Sequence, residues 1–520
     1  MNGATSRRDG PFAVATDRSS GAGEPRTRPA VVFALCCAVV LAVQFALLYR
    51  YPVDDAYISF RYALNLKLGR GPVFNPGERV EGFSNPLWTL LLAPVAERAE
   101  AAALGLAFLS HLALCFAVFR VARSLGTRPW LAGLSCAAFP PLVVQLTSGL
   151  ETLLFAALIA GAMLALIERR HAWLHAASAA LILCRPDGAL PVAWLYACAL
   201  SLPDFRREGM RRPSVPLPLL ALVALFGFRR YYYGEWLPNT FYAKHGALGP
   251  DILLGLRYAG TFYLAFPPLL LGLVPTRRHV LLPGFGLLWT AYVIAVGGDW
   301  MEAHRFLAPV APVLLLSALR LLETKSGDRP SRRAPAAVLL FALAFGLSLG
   351  ASEYRLIKNR DQFTGLDLRL RFFSDRFSQL TGARPGDSVA ISTIGYFGYR
   401  NIDLKVLDLL GLTDRHIART APRLDRIRLP GHEKFDNRYV LARRPDFFVT
   451  RQPFFRNRPD GLTIRAESLH VVERDMVEQP EFARNYALTA AKIADGLWVL
   501  YWRRTPSEGP PREDRPGAAD

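Results

Sequence analysis

Between residues 30 and 350 the sequence is built from recurring apolar blocks of roughly 17–22 residues, each long enough as a helix to cross a bilayer core of about 30 Å. Backbone polar groups in lipid must be satisfied within the segment itself, so blocks of this length read as helical spans. Composition agrees. Of the 520 residues 52% are hydrophobic and 20% are charged, against about 25% charged in a soluble domain. The apolar content excludes intrinsic disorder for the chain as a whole. Its length, with only six cysteines, excludes a small disulfide scaffold.

The blocks fall at 30–49, 100–119, 130–146, 152–168, 172–184, 188–202, 214–229, 257–275, 279–297, 305–322 and 334–350, about eleven spans in all. A long polar tail precedes the first block and no small-residue cleavage site follows it, so it reads as a retained span rather than a signal peptide. Block 172–184 is short, and the stretch 86–97 suits an interfacial or re-entrant segment. Short cytoplasmic loops carry excess Lys and Arg. The basic segments 1–28, 120–128, 168–171, 204–212, 276–278 and 325–333 all fall on one side, which places the N-terminus in the cytoplasm. The opposite, outer side receives 51–88, 147–151, 185–187, 229–257, 297–304 and everything after Gly350.

Beyond Gly350 the pattern changes. Polar–apolar alternation (DSVAISTIGYF, LHVVERDMV, GLWVLYW), turn signals (ARPGD, RNRPDG) and a helical stretch at 353–380 predict an extracytoplasmic α/β domain over 351–503. Residues 1–28 and 504–520 read as disordered tails. The cysteines, at 36, 37, 115, 136, 184 and 198, all lie in or at the edge of predicted spans, so disulfides contribute nothing to the exported domain. The net charge of +19 comes from 62 Lys and Arg against 43 Asp and Glu, much of it on loops. Positive-inside bias and affinity for membrane lipid headgroups explain it. No Arg/aromatic interleaving points to nucleic acid, and no P-loop, zinc spacing, nucleophile elbow or dinucleotide fingerprint occurs.

The chemistry-bearing residues sit at the outer ends of spans. Asp54 and Asp55 follow the first span directly. Two adjacent carboxylates repel, which prepares one as a general base or both as a cation ligand, although acids also suit a helix N-terminus. In a helix over 54–68, Asp54, Ile58 and Arg61 share a face. The same loop offers Glu78, Glu81 and Asn85 to sugar hydroxyls, with capping by Ser84 or Asn85 as the alternative. Further outer clusters are SGLE (148–151), RPDG (185–188), YYYGEWLPNTFYAKH (231–245) and GGDWMEAHRF (297–306). Charges at such depths are penalised unless paired or facing water, so their gathering on one side predicts a polar cavity roofed by the exported domain.

Taken together, DDAYISFRYALNLKLGRGPVFNPGERVEGFSNPLW (54–88), SGLET, CRPDG, YYGEWLPNTFYAK, GGDWMEAHRF, IGYFGY (394–399), LDLLGLTD (407–414) and PGHEKFDNRYVLARRPDFFV (430–449) resemble the GT-C class of integral-membrane glycosyltransferases. In particular they resemble the terminal β-(1→2)-arabinofuranosyltransferase family of mycobacteria and its bacterial relatives. The resemblance implies a GT-C-like catalytic domain over 29–350 in a bacterial plasma membrane. It implies a polyprenyl-phosphate sugar donor (arabinofuranose in the mycobacterial branch), a glycan acceptor, and inversion by direct displacement. It implies a base role for Asp54 or Asp55, with Asp54 favoured. Lys244, His304, Arg305 and, more weakly, Arg61 would bind the donor phosphate. Glu81 and Asp299 would grip sugar hydroxyls or orient His304. The acid and spacer in GGDWMEAHRF depart from the family's shorter, less acidic link, which leaves the partner of His304 open. Two acids can hold Mg²⁺ or Ca²⁺, but a monophosphate leaving group beside Lys and Arg does not require one, so the expectation is no required cofactor.

Two readings from other classes compete. A transporter predicts inverted repeats and ionisable residues at the midplane. Neither appears in the sequence. A non-catalytic envelope scaffold that binds glycan would leave Asp54 and Asp55 dispensable.

Overall fold

The computed structural model describes residues 27–244, 248–276, 280–301, 303–323, 334–422, 434–450, 454–455 and 469–505. The expected tails, the basic loops at 276–278 and 325–333, the RNRPDG turn, His245, Glu302 and part of the 430–449 block lie wholly or largely outside these residues.

Helices fill the chain as far as residue 375: α1 Thr27–Leu48, α2 Asp54–Lys67, α3 Pro86–Leu92, α4 Ala99–Ser124, α5 Pro129–Ala137, α6 Pro140–Thr147, α7 Thr152–Ile167, α8 His171–Cys184, α9 Ala189–Leu200, α10 Pro203–Arg207, α11 Leu217–Phe228, α12 Asn239–Lys244, α13 Leu248–Ala265, α14 Leu281–Ala295, α15 Ala311–Glu323 and α16 Ala334–Asp375. Every expected apolar block contains helix. Among the described residues three stretches, Pro29–Leu48, Pro86–Ser124 and Pro335–Lys358, are long and apolar enough to cross a membrane alone, and up to five if two bent helix pairs each form one span. Proline explains the fragmentation. It lacks an N–H and clashes with the carbonyl four residues back, and Pro140 and Pro203 open the second limbs of pairs bent by 46° and 95°. The largest apolar core gathers α1, α4–α9 and α13–α16, with Leu114, Leu153, Leu174 and Leu314 fully buried.

The remainder is a mixed domain. After α17 (Phe377–Thr381) come β1 Ser388–Ile391, α18 Ile394–Arg400, β2 Lys405–Asp408, α19 Arg415–Thr420, α20 Asn437–Ala442, β3 Phe447–Val449, β4 Phe454–Phe455, α21 Val471–Glu478, α22 Pro480–Asn485, β5 Tyr486–Ala494 and β6 Leu497–Arg504. Strand β1 lies between β2 and β3, parallel to both, with Val389 opposite Val406 and Phe447. Strand β6 runs antiparallel to β3, β4 and β5. The parallel strands carry short runs (SVAI, KVLD, FFV) that are almost wholly buried, as strands covered on both faces must be.

The loops at the carboxyl ends of these parallel strands dock onto the membrane part. Asp54 accepts hydrogen bonds from the backbone N–H groups of Gly395 and Tyr396, at 2.9 and 2.8 Å, at the start of α18. The approach is so close that a Cβ on Gly395 would lie 1.8 Å from the Asp54 carbonyl oxygen. Asn239 at the start of α12 donates to the carbonyls of Gly411, Leu412 and Asp414 after β2. Asn75 pairs with both backbone groups of Val406, at 2.8 and 3.0 Å, as a neighbouring strand would. Arg371 of α16 stacks between the rings of Tyr51 and Tyr396 and pairs with Glu100.

Candidate active site

Two buried polar groupings meet at one aromatic ring near the outer ends of the helices. The first begins at Asn85, which opens α3. Its Oδ1 accepts from Ser59 of α2 at 2.9 Å, and its Nδ2 donates to Glu151 at 2.6 Å. Glu151 precedes α7 and faces Arg185, 3.5 Å away. Arg185 in turn grips Asp187 with two parallel bonds of 2.9 and 2.7 Å. The two carboxylates hold its charge firmly, raising the guanidinium above its ordinary value against the opposing effect of burial. Such bidentate pairs are both strong and geometrically defined.

The second grouping comes from the loop between α14 and α15. Arg305 pairs with Asp299 at 2.6 Å. Beside it, Ala303 and His304 both have positive φ, 58° and 50°, a strained geometry for residues with a Cβ and one that clusters at functional sites. His304 Nε2 lies 3.1 Å from the Thr261 hydroxyl, and its ring packs on Tyr258 and Phe262. Burial in this aromatic setting pushes His304 down to about 4, so at pH 7 it is neutral. The groupings meet at Phe306, whose ring has Arg185 at 5.2 Å and Arg305 at 5.1 Å.

Helix α2 abuts this region. Val53 donates its N–H to the Ser148 carbonyl, and one apolar cluster holds Ala56, Tyr57 and Phe60 of α2 together with Leu150 and Met301. The DDAY, SGLE and GGDWM segments therefore share one neighbourhood. Asp55 is half-buried there, without a hydrogen-bond or ion-pair partner among the described residues.

Several expected site residues have other positions. Arg61 is fully buried and commits all five N–H donors: Nε to the Phe74 carbonyl, Nη1 to those of Gly398 and Asn401, and Nη2 to Asn75 and the Leu404 carbonyl. It has no donor left for a phosphate and does not pair with Asp54; it clamps the first loop to the C-terminal domain. Glu81 is buried in a bidentate pair with Arg229, at 2.8–3.1 Å, and makes no hydrogen bond to His304. Asp299 faces Arg305, and the partner of His304 is Thr261. Lys244 ends α12, is exposed, and has no partner among the described residues; its helix packs on α19 of the C-terminal domain. Asn85 lies in the first polar grouping.

The groups that hold the site together, Glu151, Arg185 and Asp187, have a sequence signal in SGLE and RPDG at successive span ends. Tyr258 and Thr261 have none, because both lie inside an apolar helical run. Arg229 opens a five-residue π-helical turn, Arg229–Tyr233, whose extra residue per turn no hydropathy pattern reveals. Among the described residues the one grouping of three His, Cys, Asp or Glu side chains close enough to share an ion is His111, Cys115 and Cys136. Its soft donors, inside the helical bundle, do not suit Mg²⁺ or Ca²⁺.

Comparison with known proteins agrees with this architecture. Residues 364–502 match a family described as a domain of unknown function (DUF8728). The chain is 30% identical over 385 residues to a terminal beta-(1->2)-arabinofuranosyltransferase of Mycobacterium tuberculosis, covering 59% of this chain and 58% of that protein. It is 28% identical over 359 residues to the protein of the same name from Corynebacterium glutamicum, covering 56% and 50%. The matches thus span little more than half the length of these relatives. Among solved structures, ArnT from Cupriavidus metallidurans bound to undecaprenyl phosphate superposes with a TM-score of 0.56 at 14% identity, over 94% of this chain and all of that one. The apo form gives the same TM-score. The fold is GT-C-like: a largely helical membrane protein carrying a C-terminal mixed-sheet domain.

Proposed function

We propose that the protein is an integral-membrane glycosyltransferase that moves a sugar, with arabinofuranose the first candidate, from a polyprenyl-phosphate donor to an extracytoplasmic glycan, inverting the anomeric centre. The observation that carries this is the pair of guanidiniums, Arg185 and Arg305, braced against Phe306 at the outer helix ends beside a carboxylate helix start. A fold shared with a protein solved with undecaprenyl phosphate supports the donor class, and the two arabinofuranosyltransferase relatives support the sugar.

In this mechanism Arg305 and His304 receive the donor phosphate. Phosphate charge raises the His304 pKa, so the imidazole takes up a proton as donor binds and strengthens the anion site as the glycosidic bond breaks. Arg185, held by Glu151 and Asp187, braces this wall, and Lys244 supplies a further cation from the α12 end. The base role falls to Asp55. Both oxygens of Asp54 already accept backbone N–H groups, so Asp54 fixes the start of α2 and aligns its neighbour. Asp55 takes the proton of the attacking hydroxyl while the lipid phosphate departs from the opposite face of the sugar. No step calls on a metal ion.

The test is a transfer assay on protein in nanodiscs, offering polyprenyl-phosphoryl arabinofuranose and, separately, polyprenyl-phosphoryl hexoses with an oligosaccharide acceptor. The anomeric configuration of the product is read by NMR. Transfer with inversion from a lipid-phosphate donor is expected. Retention of configuration would overturn the single-displacement mechanism, and absence of transfer from every donor would overturn the reading.

A further inference from the structure

A second concavity lies outside the site just described, between the membrane part and the C-terminal domain. It is a groove open to solvent with a volume of about 930 Å³, near the upper end of the roughly 300–1,000 Å³ of small-molecule sites. One wall is the first loop at 77–80 with the π-turn and Gly234. The other is the segment from Thr413 to Thr420 with Tyr439 and Arg443. The second wall directly follows the carboxyl end of the parallel strand β2, where open α/β sheets place their ligands.

Its lining combines flat faces with fixed polar groups. The Arg79 guanidinium lies 4.8 Å over the Tyr232 ring, and His416 stacks on Tyr439 at 4.1 Å with planes 21° apart. Tyr231 is 88% exposed at the rim. Arg415 ties the two walls together by donating to the Arg79 and Tyr233 carbonyls at 3.1 and 2.7 Å. The groove is thus built before any ligand arrives, which lowers the entropic penalty of binding. A prenyl tail would need a continuous apolar lining, and this groove has arginines, a histidine and carboxylates instead. Sugar rings match it. Their C–H faces suit the exposed Tyr231 ring, and their hydroxyls, which both donate and accept, suit the arginines and carboxylates around it.

We infer that this groove binds several consecutive sugar residues of the glycan acceptor, and that holding them is a function of the C-terminal domain. The inference rests on the proposed glycosyl transfer for the identity of its ligand. It is tested on the full chain in nanodiscs with oligoarabinofuranosides of two to eight residues, first without donor by calorimetry and then as acceptors. Affinity should rise with length, and the Tyr231→Ala/Tyr232→Ala double variant should weaken the octasaccharide about tenfold and the disaccharide far less. His416→Ala should act in the same direction, and Tyr231→Phe, which keeps the ring, should behave as wild type. In turnover the octasaccharide KM should rise by the same factor. Length-independent binding, or alanine variants that bind and use the octasaccharide as wild type does, would overturn the groove. Length-dependent binding by a protein that transfers nothing would uphold the groove and count against the proposed reaction alone.

Discussion

At the scale of single residues, placement decides what each acid, base and glycine can do. His304 sits at about 4 because burial disfavours its charged form. The unfolded chain binds a proton near the ordinary value of about 6.5 and the folded chain does not. Burying His304 therefore destabilises the fold progressively as pH falls from about 6.5 to about 4, and has no effect above that window. A phosphodiester donor does not titrate in this range, so its affinity should increase as pH falls through it. His304→Gln should flatten that dependence, as measured by donor titration at several pH values; an unchanged slope in the variant would remove His304 from the phosphate site. Gly395 is fixed by space rather than by chemistry. Its α18 backbone touches Asp54 so closely that Gly395→Ala should cost about 3 kcal/mol or more, read as a lowered midpoint of thermal unfolding.

At the scale of elements, the decisive contacts join segments more than 300 residues apart. Arg61 on α2 holds the carbonyls of Gly398, Asn401 and Leu404 around α18. Replacing it with Met leaves several buried acceptors unpaired at about 1–3 kcal/mol each. Arg61→Met should raise amide exchange across 394–406 while donor binding persists. Loss of donor binding without a change in exchange would return Arg61 to the phosphate site. The element scale also shows what the sequence could convey. Apolar runs such as 152–168 and 279–297 announce helices by composition; alternation announces strands at the start of DSVAISTIGYF and in GLWVLYW, but misleads at IGYF and LHVVERDMV, which fold into α18 and α21. Pairing across domains carries no such signature. Asp54 reads as the catalytic base because nothing near it in sequence hints at Gly395, and Glu81 reads as a sugar ligand because Arg229 lies 148 positions away. Arg185 and Asp187 are legible as charged residues at a span end, yet only the fold pairs them and places Phe306 against Arg185.

At the scale of the whole molecule, a helical membrane domain and an α/β domain share one interface. Two features flank it: the charged groupings around Arg185 and Arg305 at the helix ends and an open groove between the domains. The proposed reaction assigns donor to the first and acceptor to the second. If the donor phosphate is met by side-chain cations as proposed, transfer should continue after exhaustive chelation of divalent ions, and restoration by Mg²⁺ or Ca²⁺ of activity lost to a chelator would place a metal in the mechanism. In the proposed mechanism Asp55 deprotonates the acceptor hydroxyl as it attacks a polyprenyl-phosphate sugar held nearby. The most direct measurement compares wild type, Asp54→Asn and Asp55→Asn in nanodiscs for transfer rate, donor affinity and thermal stability. Asp55→Asn should bind donor, unfold as wild type does and transfer at least about a hundredfold more slowly, whereas Asp54→Asn should chiefly lower the unfolding midpoint. Wild-type transfer by Asp55→Asn would contradict this mechanism.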